Sequence, residues 1–228
     1  MSKAVIFANG QSPFFEDISL SKNKRVQFLE NLKKDVSQAE IVIVCDGAIK
    51  YIEEESSFTP DYIVGDLDSV DFENLDLNIQ KKYSTKLIKI PDQNTNDLTK
   101  AVNFAMSKNA KQVTIYGATG KREDHSLANI ALLLEYARQL DSVVMKSQYG
   151  MFYPVKESLT CKTAPNRQIS IFSVDKEVEI TTENLAWELY NAKLPFLWMG
   201  SLNRTLKNQF TIQTNSDQAK VFIWLESV

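Results

Sequence analysis

Two aspartates stand two residues apart in the segment GDLDS at residues 65–69, and their spacing suggests chemistry. Asp66 and Asp68 follow the apolar run YIV at residues 62–64, which is typical of a buried strand. Carboxylates this close repel each other unless a cation or a proton lies between them. We therefore expect the pair to hold a positively charged partner, and a solvated turn is the alternative.

Further aspartates fall in equivalent places, at the ends of other apolar runs. Asp46 follows the second predicted strand, Asp97 follows the fourth and Asp124 follows the fifth. Asp97 and Asp124 also precede apolar helical stripes, so a helix cap is the alternative role for each of them. Oxygen ligands without neighbouring histidine or cysteine favour a hard ion, Mg²⁺ before Ca²⁺. Because Mg²⁺ commonly shares its ligand shell with substrate phosphates, the pattern predicts a nucleotide site.

The loop GATGKRED at residues 117–124 is a second, weaker signal for a phosphate ligand. Its glycines permit close approach of the backbone to an anion, while Lys121 and Arg122 bring positive charge. The loop lacks the spacing and the hydroxyl group of the P-loop motif G-x-x-x-x-G-K-[ST]. Phosphoryl transfer requires mainly positioning and charge neutralisation, so these residues suit transfer of a phosphate-containing group. His125, at a helix start, is interpreted as a local hydrogen-bonding residue outside the catalytic set.

Strands and helices alternate over the first two thirds of the chain. Six apolar runs predict strands: VIFA (5–8), IVIVC (41–45), YIVG (62–65), KLIKI (86–90), VTIYG (113–117) and SVVM (142–145). Between them lie three apolar stripes of helical spacing, the third of which starts at Leu127. This alternation indicates a mainly parallel α/β sheet, and ligands of such sheets bind beyond the carboxyl ends of the strands.

The pattern changes after residue 148, where apolar and polar residues alternate with a period of two. The segments are ISIFSV, VEITT, LAWEL, FTIQT and KVFIW, and each predicts a strand. We therefore expect an α/β domain at residues 1–148 followed by an all-β sandwich domain at residues 149–228.

The composition narrows the classes of partner. A net charge of −3 with interspersed acids and bases gives no basic surface for nucleic acid or an anionic membrane, so neither partner is expected. No apolar run approaches the length of a membrane span, and the first residues do not form a signal peptide, so we expect a cytoplasmic protein. Cys45 and Cys161 fit neither a disulfide framework nor a thiolate metal site.

Four stretches taken together resemble the thiamine pyrophosphokinase (thiamine diphosphokinase) family. They are CDGA at 45–48, PDYIVGDLDS at 60–69, PDQNTNDLTKA at 91–101 and GATGKREDHSLAN at 117–129. The combination of GDLDS with the later RxDHxLAN is specific. The resemblance implies an α/β catalytic domain that binds ATP and Mg²⁺, a β-sandwich domain for thiamine binding and dimerisation, and a homodimer with thiamine sites between subunits. It implies transfer of a pyrophosphoryl group from ATP to thiamine, giving thiamine diphosphate and AMP.

The resemblance also implies a role for individual residues. Asp66, Asp68 and Asp97 would hold Mg²⁺ and, with Asp124, form the catalytic set. Nucleotide binding would fall to Asn9, Asp46, Gly47, Gly117, Thr119, Gly120 and Arg122. Gln93 and Asn203 would contact thiamine. Trp187, in the segment ENLAWEL, would cover the cationic thiazolium ring, and packing in the core is the alternative role for this side chain.

The sequence departs from the family pattern at several positions. Ala48 stands where a second glycine is frequent, Asn96 where a threonine is frequent and Lys121 where a glycine is usual. The family's Ser-Asn pair near the thiamine contact is represented here by Gly200-Ser201-Leu202-Asn203. Two other functions stay open: the same machinery acting on another alcohol, such as a hydroxymethylpterin, and a non-catalytic sensor of thiamine or nucleotide.

Overall fold

The computed structural model describes residues 2–67 and 81–227. Asp68, predicted as a metal ligand and catalytic residue, lies outside the described residues. The chain divides into two compact units, one comprising Met1–Asn129 with Leu140–Ser142 and the other comprising Ile130–Gln139 with Val143–Val228. Among the residues that the structure describes, no helix is long and apolar enough to cross a membrane.

The secondary structure follows the alternation that the sequence predicts. Helices with bounds in the described ranges are α1 (Lys22–Gln38), α2 (Ile49–Glu55), α3 (Asp97–Ser107) and α4 (Glu123–Ala137). The first strands are β1 (Lys3–Phe7), β2 (Ile41–Cys45), β3 (Tyr62–Gly65), β4 (Leu87–Lys89), β5 (Gln112–Tyr116), β6 (Ser142–Lys146) and β7 (Gly150–Val155). They are followed by β8 (Ser158–Lys162), β9 (Gln168–Ser173), β10 (Glu179–Glu183), β11 (Ala192–Lys193), β12 (Gly200–Arg204), β13 (Gln209–Thr214) and β14 (Val221–Glu226). Single 3-10 turns lie at Asp46–Ala48 and Leu197–Met199.

The first unit contains a parallel sheet with the strand order β5-β1-β2-β3-β4. Its central strands are apolar at consecutive positions because both faces are covered; Ile6, Phe7, Ile43 and Val44, for example, are fully buried. The parallel sheet predicted from the sequence is therefore confirmed. The chain builds outward from β1 through β2, β3 and β4 and then returns to place β5 on the other side of β1. This change of direction makes the carboxyl ends of β1 and β5 the expected ligand site.

The second unit contains two antiparallel sheets. One has the order β12-β9-β14-β7-β6 and the other the order β11-β10-β13-β8. Both contribute to a single hydrophobic core, whose buried members include Ile169, Ile171, Ile180, Phe210, Ile212 and Ile223. This arrangement agrees broadly with the all-β region predicted from the alternating pattern. The unit also includes β6 and part of α4, which the sequence pattern groups with the α/β region.

Two details of the sequence prediction are wrong. The segment LAWEL is not a strand, and only an isolated bridge joins Leu185 to Thr205. The carboxylate of Glu188 accepts hydrogen bonds from the backbone N–H of Leu185 (3.0 Å) and from the hydroxyl of Thr182 (2.6 Å), which closes a turn. In α4, Leu127 begins the predicted apolar stripe but is exposed.

Candidate active site

Three carboxylates meet where β2 and β3 end and α3 begins. Asp46, Asp66 and Asp97 each offer an oxygen, and these oxygens lie within 4.8 Å of one another. The parallel register explains part of this convergence, because Cys45 pairs with Val64 and the residues that follow leave the sheet side by side. We refer to these three residues as the acidic cluster.

Asp46 is fully buried and holds the turn that follows β3. Its carboxylate accepts hydrogen bonds from the backbone N–H groups of Gly47 (2.5 Å) and Leu67 (2.9 Å). A Cβ atom on Gly65 would lie 2.5 Å from Cγ of Asp46, so only glycine fits there. Burial, and next the charge of Asp97, raise the pKa of Asp46 to about 6, although the two backbone hydrogen bonds oppose the change.

Lys100 supplies the positive charge that the sequence predicts beside Asp66. Its Nζ lies 3.3 Å from Oδ2 of Asp66 and 3.0 Å from Oδ1 of Asp97, and its side chain is only 3% exposed. Burial disfavours the charged lysine, but the hydrogen bonds and charges of Asp97 and Asp66 outweigh burial and raise the pKa of Lys100 above its ordinary value. The sequence prediction missed Lys100. Its position three residues after Asp97, on the same helix face, indicates the contact with Asp97, whereas the contact with Asp66 depends on the fold.

The start of α3 is fixed by two asparagines. Asn96 caps the helix, because its Oδ1 accepts a hydrogen bond from the backbone N–H of Thr99 at 2.9 Å. The alternative in which Asp97 is the cap is therefore wrong. The amide nitrogen of Asn96 donates to Oδ1 of Asn129 (3.0 Å), and the amide nitrogen of Asn129 donates to the carbonyl oxygen of Ala118 (2.8 Å). These bonds connect α3 with the loop that follows β5.

The loops after β1 and β5 are joined through their backbones. The N–H of Gly10 donates to the carbonyl of Gly117 (2.6 Å), and the N–H of Gln11 donates to the carbonyl of Thr119 (2.7 Å). A Cβ atom on Gly10 would lie 2.6 Å from that Thr119 oxygen, so the close approach requires glycine. Gly117 and Gly120 have φ values of 65° and 80°, which explains the two glycines of GATG.

The basic residues of this loop have different partners. Lys121 has a φ of 60°, a conformation that favours glycine, and its Nζ donates to Oδ1 of Asn9 at 3.3 Å. Arg122 forms two hydrogen bonds with Asp124, at 2.6 and 3.1 Å, and both side chains are exposed. The hydrogen bonds from Arg122 lower the pKa of Asp124 to about 2. Asp124 pairs with Arg122 and is not part of the acidic cluster.

A cleft of about 490 Å³ lies over the acidic cluster and the two joined loops. Its volume is in the range of small-molecule sites. Among the predicted site residues, those that line the cleft are Asn9, Asp66, Gln93, Asp97, Gly120 and Arg122. Polar lining residues outside the predicted set include Lys100, Lys121, His125 and Asn129. Gln93 contacts the acidic cluster directly, because its amide nitrogen donates to Oδ2 of Asp66 at 3.2 Å.

The chemistry of the acidic cluster suits a hard divalent cation. All three side chains offer carboxylate oxygens, which are the ligands that Mg²⁺ prefers. Opposite ligands of an octahedral Mg²⁺ are about 4.2 Å apart. Oxygens that already lie within 4.8 Å of one another therefore need only small side-chain rotations to share one ion. Asp66 has the side chains of Gln93 and Lys100 beside it.

The second unit holds the other predicted substrate residues. Trp187 is 62% exposed, so the alternative in which it packs in the core is wrong. Asn203 is buried and holds the backbone of Trp187 at both ends: its Oδ1 accepts from the N–H (3.1 Å) and its amide nitrogen donates to the carbonyl (2.7 Å). Asn203 therefore positions the tryptophan. Leu202 belongs to the segment 200–203, in which the sequence departs from the family pattern, and it is 76% exposed. Its φ is 61°, and it lies where the register between β12 and β9 shifts.

Comparison with known proteins shows matches over most of the chain. Residues 32–145 match the family model described as thiamin pyrophosphokinase, catalytic domain. Residues 150–222 match the model described as thiamin pyrophosphokinase, substrate-binding domain. The chain is also similar to thiamine pyrophosphokinase 2 of Arabidopsis thaliana, with 26% identity over 191 residues and 75% of this chain covered. The matched region spans 66% of the length of that relative.

Solved structures share the fold at low sequence identity. The thiamine pyrophosphokinase of Bacillus subtilis superimposes with a TM-score of 0.75 at 19% identity, covering 100% of this chain and 99% of the other. The thiamin pyrophosphokinase of Candida albicans gives a TM-score of 0.73 at 14% identity, covering 100% and 89%. These similarities show that the chain shares the fold of these proteins.

Proposed function

This chain is a member of the thiamin pyrophosphokinase family, and we propose that it transfers a pyrophosphoryl group from ATP to thiamine in a Mg²⁺-dependent reaction. The observation that carries the proposal is the acidic cluster, in which Asp46, Asp66 and Asp97 converge at the carboxyl end of a parallel sheet. Asp66 and Asp97 line a cleft that also exposes Arg122 and the glycine-containing loop after β5. Acidic and basic groups in one cleft are what a metal-bound triphosphate requires.

In the proposed reaction, the hydroxyl oxygen of thiamine attacks the β-phosphorus of ATP. The bond from that phosphorus to the oxygen bridging it to the α-phosphorus breaks, AMP leaves, and the hydroxyl proton is released to solvent. Mg²⁺, when bound, would neutralise the negative charge of the phosphate oxygens and so favour the departure of AMP. Asp66 and Asp97 would hold the ion, and Asp68 joins them on the strength of the family resemblance alone.

The remaining residues of the first unit would orient the triphosphate. Arg122 and the N–H groups of the loop Gly117–Gly120 face phosphate oxygens in this proposal, and Asn9 borders the same cleft. Asp46 would support the turn that follows β3, and Gly47 would support the loop that follows β1. Asp124 would act through Arg122, because the bidentate contact fixes the direction of the guanidinium group.

We assign thiamine binding to the second unit, with residues 1–148 as the catalytic domain and residues 149–228 as the thiamine-binding and dimerisation domain. The gap between the two family-model matches, at residues 146–149, supports this boundary. Trp187 is exposed and its backbone is held by Asn203, so its ring is available to stack on a cationic thiazolium. Gln93 is proposed as a thiamine contact on the strength of the family resemblance alone.

We also propose a homodimer. Large apolar side chains are exposed close together in the sequence of the second unit, namely Trp187, Tyr190, Phe196, Leu197, Trp198 and Leu202. Phe196 and Trp198 stack with ring centroids 6.4 Å apart, so two of the exposed rings are adjacent. Exposed apolar patches of this kind mark interaction sites.

The test is an assay of the purified full chain with ATP, Mg²⁺ and thiamine, in which AMP and thiamine diphosphate are quantified. We expect equal amounts of the two products. Asp66→Asn should abolish turnover, whereas Asp217→Asn, at an exposed position of the second unit, should retain it. AMP formed only with another alcohol acceptor would contradict the choice of thiamine. Ligand binding without AMP from any acceptor would contradict the enzyme and favour a sensor.

A further inference from the structure

We propose that Lys100 is the built-in counter-cation of the acidic cluster, which keeps Asp66 and Asp97 together without a divalent ion and weakens the affinity of the cluster for that ion. The proposal rests on the proposed function, because it concerns the same carboxylates. It goes beyond that function by assigning to a lysine the control of metal affinity.

The position of the ammonium group carries the inference. Lys100 is 3% exposed, and its Nζ lies within 3.3 Å of oxygens from both Asp66 and Asp97. A lysine is rarely buried to this extent unless its charge is paired. Asp46, whose carboxylate oxygens lie in the same cluster, adds a third acidic group. One ammonium group therefore contacts two of the three carboxyl groups of the cluster.

The ammonium group and a divalent ion would use the same oxygens. Oδ2 of Asp66 and Oδ1 of Asp97 both contact Lys100. A cation placed between these oxygens must share them with the ammonium group or displace it, and the two positive charges repel each other. Removal of the lysine charge should therefore strengthen metal binding, although it leaves the metal-free cluster with unbalanced carboxylates.

The geometry also permits a divalent ion to replace the ammonium group beside the carboxylates. Lys100 lies three residues after Asp97 on α3, so both side chains extend from one face of a rigid element. The ammonium group is carried by a flexible four-carbon stem and can move without a change in the helix. Because Lys100 lines the cleft, a phosphate oxygen in that cleft would offer the displaced ammonium group a new partner.

If Lys100 only formed a structural ion pair, its removal would cost the same stability with and without Mg²⁺. The proposal predicts a difference between these two conditions, and the test measures it. Lys100→Met removes the charge and keeps a similar length, Lys100→Arg keeps the charge, and Lys33→Met removes an exposed lysine of α1 as the control. The melting temperature of each full-length protein is measured with EDTA and with saturating Mg²⁺. Mg²⁺ affinity is measured by isothermal titration calorimetry without nucleotide.

We expect Lys100→Met to melt below wild type in EDTA, to regain most of that loss in Mg²⁺, and to bind Mg²⁺ about tenfold more tightly or more. The melting temperature and Mg²⁺ affinity of Lys100→Arg should stay closer to those of wild type, and those of Lys33→Met should equal the wild-type values. An equal loss of stability with and without Mg²⁺, or an unchanged Mg²⁺ affinity, would overturn the inference. Wild-type protein that binds no Mg²⁺ and forms no AMP would instead overturn the proposed function on which the inference rests.

A second measurement covers the case in which Lys100→Met does not fold. Wild-type protein is labelled with ¹³C at the lysine Cε atoms, and the Lys100 signal is assigned by its absence in Lys100→Arg. Addition of Mg²⁺ should shift this signal, because the ammonium group changes partners. A Lys100 signal that stays in place at saturating Mg²⁺ would contradict the proposal.

Discussion

The side chain of Asn96, which caps α3, donates a hydrogen bond to the side chain of Asn129 on α4 at 3.0 Å. Through this contact the helix start that carries Asp97 is tied to the loop that follows β5, because Asn129 also donates to the carbonyl of Ala118. The acidic cluster and the loop after β5 are thereby connected by side-chain amide groups and not by the sheet alone.

Asn129→Ala should therefore weaken both parts of the site. The substitution removes the partner of Asn96 and of the Ala118 carbonyl, and we expect a loss of about 1–3 kcal/mol in the free energy of unfolding. Urea denaturation measures this loss, and calorimetry should show weaker Mg²⁺ binding. Asn103→Ala, at an exposed position of α3, is the matched control and should change stability by less than about 0.5 kcal/mol. Equal effects of the two substitutions would count against the connection.

Gly65→Ala tests the packing of Asp46 against the end of β3. The new Cβ atom would lie 2.5 Å from both Cγ and Oδ2 of Asp46, so the carboxylate must move. We expect a stability loss of about 1–3 kcal/mol and a marked loss of Mg²⁺ affinity. Gly47→Ala is the comparison, because its Cβ atom would meet the flexible end of Asn9 and should cost less. A Gly65→Ala protein with wild-type affinity would show that Asp46 is not held as described.

The pKa of Asp46 gives the stability a defined dependence on pH. Burial raises this pKa from 3.8 to about 6 in the folded protein, so between these values the folded state binds more protons than the unfolded state. The contribution of Asp46 to stability is therefore most favourable below pH 4 and becomes less favourable as the pH rises to 6. Asp46→Asn removes this dependence.

Denaturation of wild type and Asp46→Asn in EDTA, between pH 4 and pH 7, measures the effect. Relative to the variant, wild type should lose up to about 3 kcal/mol over this interval, with the change complete slightly above pH 6. The constant offset from lost hydrogen bonds does not affect the slope. A stability difference that is independent of pH would contradict the raised pKa.

Lys121 combines an unfavourable backbone conformation with a charge beside the cleft, and two substitutions separate these properties. Lys121→Gly relieves the cost of a φ of 60°, whereas Lys121→Ala retains it. We expect the glycine variant to be more stable than the alanine variant by about 1 kcal/mol. Both variants lose the ammonium group, so both should raise the KM for ATP by a similar factor. Equal stability of the two variants would show that the backbone is not strained.

The sequence predicts the sheet well because its central strands are buried on both faces and read as continuous apolar runs. The predicted run at residues 41–45 coincides with β2, and the run at residues 62–65 coincides with β3. The strand prediction for LAWEL is wrong because the alternation of apolar and polar residues does not reveal a turn that Glu188 closes through its side chain. Local hydrogen bonds of this kind depend on geometry that the apolar pattern does not encode.

The candidate site is predicted in part for a similar reason. Asp46, Asp66 and Asp97 were identified because each follows a strand, and strand ends meet at one edge of a parallel sheet. Lys100 and Asn129 lie inside helices, where the spacing of polar residues does not tell which loop or helix they face. Their roles become visible only when α3, α4 and the loop after β5 are placed together.

The central claim is that the acidic cluster holds a divalent ion at the end of the sheet. It is tested most directly by a crystal structure of the full chain grown with Mn²⁺ and a non-hydrolysable ATP analogue, with anomalous scattering collected to locate the metal. We expect an anomalous peak within about 2.2 Å of carboxylate oxygens of both Asp66 and Asp97. Bound nucleotide with no anomalous peak at these oxygens, or with Mn²⁺ elsewhere in the chain, would contradict the account.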